Sequence, residues 1–216
     1  MKKSLACSAA IVIAAAAGFL AGANSPAKGK TPGFAQLSLA QMNDQQRPLA
    51  EYIMKFSKVG IGGPYHLMLR SPGAAKPMLE LLDYLRFHSS VPRRLNEFAI
   101  LIQGRLWRSQ VEGYAHYDGA LRAGISAATL TELKADKRPA DMKPDEAAVY
   151  DFCTELYTRH AVSDATFDRL HQYLNDQQIV DLTMVSGTYG SVASLLAMAE
   201  QNTPPGVPLP FKPGEP

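Results

Sequence analysis

From Asp176 to Gln201 apolar side chains return every three or four residues: Ile179, Leu182, Val185, Tyr189, Val192, Leu196 and Met198. That spacing keeps them on one face of a helix and would scatter them over both faces of a strand. A segment of this length and period commits the chain to helix-on-helix packing. The remaining sequence agrees, because no alternating run of β-branched residues reaches the length of a strand. The expected fold is all-α, one helical domain over residues 41–203 with seven to eight helices.

The helix boundaries follow from caps and breakers. Asp44 caps a first helix through Leu49, Ile53, Met54 and Phe56, stopped at Gly60. Pro64 opens a short helix, Tyr65 to Arg70. Ser71-Pro72 starts the next, with Leu79, Leu82, Leu85 and Phe87 inward. Val91-Pro92 leads into a helix carrying Leu95, Phe98, Ala99, Leu101 and Ile102. Ser109 and Glu112 have capping-box spacing at the head of a helix that ends at Gly124. Ser126, Pro144 and Ser163 begin three more. Pro204 to Pro216 holds six prolines and reads as an extended tail.

The N-terminus is separate in character. Lys2 and Lys3 precede an apolar run from Leu5 to Leu20, and Ala21-Gly22-Ala23 supplies small residues for a peptidase. Residues 1–23 are expected to be a secretory signal, with an uncleaved membrane anchor as the alternative, followed by a flexible lead-in over 24–40. The protein is then exported, to a periplasm, and has no membrane attachment once the signal is cleaved. Cleavage would remove two of the 22 basic residues and balance the rest against 20 acidic ones. With no Lys/Arg stripe and interleaved aromatics, nucleic acid is not an expected partner. Cys7 would leave with the signal, so Cys153 could form no internal disulfide.

Acid–base chemistry concentrates between Glu97 and His116, which also holds Trp107, Arg105 and Arg108. Glu112 and His116 are four apart, so they share a helix face, where a carboxylate can orient an imidazole for proton transfer. A structural reading stays open, with Glu112 closing a capping box and His116 filling space. Glu97 is either partly buried, with a raised pKa, or solvated. Arg70 and Arg108 are candidate carboxylate clamps; His66 and Trp107 are candidate substrate contacts. Glu112 and His116 could give two metal ligands, but nothing completes a set, so no metal or cofactor is expected. The partner expected is a small-molecule substrate.

At these residues the chain resembles the carboxymuconolactone decarboxylase and alkylhydroperoxidase D superfamily. The resemblance rests on Arg94-Leu95-Asn96-Glu97-Phe98-Ala99-Ile100-Leu101, Glu112-Gly113-Tyr114-Ala115-His116 and Ala120 to Ser126, with weaker agreement at Tyr65 to Pro72 and Ala161 to Phe167. It implies an all-α protomer that assembles into trimers or hexamers. The peroxidase branch has an acid, a Cys-x-x-Cys pair twelve residues on, and a histidine four residues later. Here the acid is Glu97 and the histidine His116, while Ser109 and Glu112 stand at the cysteine positions. Peroxide reduction needs the two thiols. The resemblance therefore points to the cysteine-free branch, in which His116, Glu112 and Glu97 move protons on a small carboxylated lactone and Arg70 or Arg108 binds its anion. An alkylhydroperoxidase-type antioxidant activity and a non-catalytic exported binding protein are the alternatives.

Overall fold

The structure is a computed structural model that describes residues 34–57 and 60–212. The described residues fall within one compact unit, Pro32–Pro216. The expected signal and most of the lead-in lie outside them. Among the described residues there are nine α-helices and no strand: α1 Gln46–Met54, α2 Tyr65–Met68, α3 Pro72–Asp83, α4 Arg93–Leu106, α5 Gln110–Ala123, α6 Ala127–Lys134, α7 Pro144–Arg159, α8 Asp164–His171 and α9 Asp176–Met198.

Helix α4 is the hub. Leu95 through Gly104 are all buried, and α5, α7 and α9 pack around it. A helix buried all the way round over ten residues is a core helix, and its buried polar residues must find partners. Helix α9 is long and apolar enough to cross a membrane, but most of it is buried in this same core. The polar residues that open α4 are each spent on a neighbour. Arg94 pairs with Asp145, at 2.6 Å, and with Glu146 in the first turn of α7. The Asn96 amide donates to the Leu85 carbonyl at 2.7 Å. Glu97 is held for the site.

Most caps fall where the sequence puts them. The hydroxyls of Ser126 and Ser163 accept from the third residue of α6 and α8. Gly124 closes α5 in the left-handed region at φ 101°, where a side chain would be strained. Four expectations need correction. Asn43, not Asp44, caps α1, its side chain accepting from the Gln45 and Gln46 amides. Asn has the reach for that Asx geometry from its position three residues before Gln46. The Ser109–Glu112 capping box does not form: Ser109 sits at the N-cap, but its hydroxyl has no hydrogen-bond partner. Phe87 is 49% exposed rather than buried. A π-helical turn, Tyr84–His88, follows α3 with Leu85 inside, and Phe87, two residues on, falls about half a turn round the axis from it and so faces out. Met198 ends α9 at 56% exposure, because the helix stops there and not at Gln201.

The Pro-rich segment is docked. Phe211 is 4% exposed. Its carbonyl accepts from Gln110 Nε2 at 3.0 Å and its N–H donates to Gln110 Oε1 at 2.9 Å.

Candidate active site

The site forms where α4 and α5 lie against each other. His116 Nδ1 donates to Glu97 Oε2 at 2.8 Å, and both residues are buried. Glycine makes this possible. A Cβ at Gly119, one turn below His116, would lie 3.1 Å from Glu97 Oε2, so the carboxylate needs the missing side chain. Burial alone would raise the Glu97 carboxyl. The hydrogen bond and charge of His116, with the charges of Arg86 and Arg93, outweigh it and hold the carboxyl below its ordinary value. Glu97 is thus buried, as one sequence reading had it, but its pKa moves the opposite way, because burial brings it to a partner.

The expected Glu112–His116 pair does not form. Glu112 is 2% exposed, and neither carboxyl oxygen has a hydrogen-bond partner. Burial pushes its carboxyl well above the usual carboxylate range, opposed only weakly by the nearby Ser109 hydroxyl. The raised pKa favours the protonated form of Glu112. The imidazole takes Glu97 instead, across the contact between α4 and α5.

Three further groups surround the pair. The His116 ring meets Tyr189 of α9 edge-on at a centroid distance of 5.1 Å. The Arg86 guanidinium, carried on the π-turn, acts on Tyr189, Tyr65 and Glu97. Tyr65 and Tyr189 are held protonated by burial, against the pull of Arg86. A small cavity lies beside Tyr65 and Arg86, lined also by Phe56, Leu79, Leu82, Asp83 and Phe87. Neither Arg86 nor Tyr189 stands in a local motif; the apolar stripe of α9 marks Tyr189 as inward but not as part of a site. The helical glycines do carry one. Gly104, Gly113 and Gly119 are unfavourable inside helices, which flags a close approach at each.

The proposed substrate contacts scatter. Arg70 donates to the Ala35 carbonyl and stacks over Phe34 at 5.6 Å, so it holds the N-terminal segment. Arg108 is exposed at φ 52°, in the turn between α4 and α5. Trp107 is 45% exposed, with its indole nitrogen against Gly190 of α9. His66 is buried and donates through Nδ1 to the Gly63 carbonyl at 2.7 Å. The loop before it touches α5, because a Cβ at Gly63 would lie 3.9 Å from Val111. Cys153 is fully buried beside the Ser186 hydroxyl at 3.5 Å, and burial pushes its thiol up to about 12. Among the described residues no three His, Cys, Asp or Glu side chains gather as a metal-ligand group.

No protein-family model and no curated protein matches the chain. A solved structure does. The crystal structure of an alkylhydroperoxidase AhpD core, an uncharacterized peroxidase-related protein from Ralstonia eutropha JMP134, superposes with a TM-score of 0.67. The match covers 82% of this chain and 94% of that one, at 13% sequence identity. The chain therefore has the helical fold of an alkylhydroperoxidase AhpD core, as its resemblance to that superfamily implied.

Proposed function

We propose that the protein is a cofactor-free acid–base enzyme, a lyase or isomerase acting on a small carboxylated lactone or carbonyl compound. The observation that carries this reading is the split between two buried carboxyls on facing helices. Glu97 is bonded to His116 and its carboxyl is held below the ordinary value; the Glu112 carboxyl oxygens have no hydrogen-bond partner and burial pushes that carboxyl well up. Environments that push two carboxyls in opposite directions are how acid and base roles are divided. Glu97 holds the His116 ring through Nδ1 and leaves Nε2 as the nitrogen that exchanges a proton with the substrate. Glu112 can return a proton to the carbanion or enolate that forms.

The peroxidase reading shares the fold, and the solved relative in fold is named for it. The residues speak against it here. Ser109 and Glu112 replace the thiol pair, and Cys153 is buried and protonated. We also infer an exported homo-oligomer, a trimer or hexamer, supported by the signal-like N-terminus and by exposed apolar residues such as Val180 and Met184 on α9. Light scattering of the purified protein tests the assembly.

The direct test is turnover against a panel of small carboxylated lactones and 2-oxo acids. His116→Ala should lower it by about 10²–10⁴-fold, the usual yield of a general acid–base group. Unchanged turnover in that variant would remove the proposal.

A further inference from the structure

Two glycines on facing helices, Gly104 of α4 and Gly113 of α5, leave a slot beside Glu112, and the chain fills it with its own Phe211. The slot is tight. A Cβ at Gly113 would lie 2.5 Å from Phe211 Cε2 and 2.7 Å from Pro210 Cβ. One at Gly104 would lie 3.3 Å from both Phe211 Cε2 and Glu112 Cβ. The ring and the acid thus share one wall. The slot also reads the group next to the ring. Gln110 is itself buried at 8% exposure, and its amide both donates to and accepts from the Phe211 backbone. An aromatic ring next to an amide is therefore what the slot recognises.

The occupant is not part of the main apolar core cluster. It follows α9 on a stretch that turns at Gly206, with φ 83° and open space around the glycine. Pro204, Pro205 and Pro208 lack the N–H groups that would tie the stretch down. We infer that the Gly104–Gly113 slot is a binding site for a flat ring carrying an adjacent amide, and that Pro210–Phe211 is a displaceable internal ligand which closes it. The proton chemistry proposed above is not needed for this inference, because the test reads binding.

The probe is N-acetyl-phenylalanine amide, followed by calorimetry against the full chain and against a chain ending at Gly206. The shortened chain should bind the probe about ten-fold or more tightly than the full chain, since the strap leaves only a fraction of molecules open. If the shortened chain fails to fold, Phe211→Ala in the full chain serves the same comparison. Gly113→Ala is the control. Its Cβ fills the slot, while alanine suits a helix interior better than glycine. It should abolish probe binding in the opened chain and release the tail to proteolysis. No binding to the opened chain, equal binding to open and strapped chains, or binding that survives Gly113→Ala would each overturn the inference. Loss of turnover in His116→Ala with intact probe binding would leave the slot standing, and the reverse would leave the acid–base reading standing.

Discussion

Glu97 and Glu112 are the same residue type, on packed helices, with 7% and 2% exposure. They end in opposite states. Glu97 has His116 at 2.8 Å and two arginine charges to hold its proton off. Glu112 has only a weakly placed serine and an apolar surround that includes the wall shared with Phe211. Burial depth does not set the charge of a carboxyl; the company it is buried with does. The first is arranged for structure and orientation, the second carries an uncompensated cost of the sort that catalytic sites retain.

The contrast can be broken most severely from the Glu97 side. His116→Ala leaves a buried carboxylate with only arginine charges, and should cost about 3 kcal/mol in urea unfolding, the low end for breaking a buried pair. Gly119→Ala attacks the same carboxylate from below. Despite the helix-propensity gain, its Cβ at 3.1 Å should cost about 1–2 kcal/mol by overpacking, read as a lower melting temperature.

The Glu112 side should respond with the other sign. Because its folded pKa is raised, protonated Glu112 favours the fold at low pH, and that support is lost as pH rises through the ordinary carboxylate range and beyond. Glu112→Gln should therefore gain about 1 kcal/mol over the parent at pH 7, with no gain near pH 4. Glu97, with its pKa lowered, adds stability at neutral pH that disappears on acidification. Paired pH series of Glu97→Gln and Glu112→Gln should give opposite slopes, and parallel slopes would dissolve the contrast. The smallest effect is at Cys153. A thiol reagent should find nothing to react with until denaturant is added, because the group is buried and protonated.

The sequence carries the helices well because period, caps and breakers are local. The Ser126 and Ser163 caps, the Pro72 and Pro144 starts and the Gly124 stop all depend on residues within one turn. The candidate site is legible only in part. Glu97, Glu112 and His116 stand out by residue type and spacing, but spacing along α5 pairs His116 with Glu112, while packing across α4 and α5 pairs it with Glu97. A helix-face rule sees one helix and cannot weigh a partner on another. Arg86 and Tyr189 reach the site from a π-turn and from α9; the apolar period of α9 turns Tyr189 inward, but nothing along the chain ties either residue to the site. Phe211 is hidden for a related reason: proline-rich composition suggests a loose end, whereas its anchorage depends on Gln110, far away in sequence.

The π-turn at Tyr84–His88 is equivalent to a helix with one residue too many. Its length is therefore a register setting for the site. Deleting one residue ahead of Arg86 in this stretch would restore ordinary helical winding and move Arg86 back one helical position, about 100° around the axis. Arg86 would swing off the face that reaches Glu97, and the Leu85 carbonyl would leave Asn96. The single extra residue lets the end of α3, a helix that packs on α1, α2 and α9, deliver a cation to a carboxylate on α4.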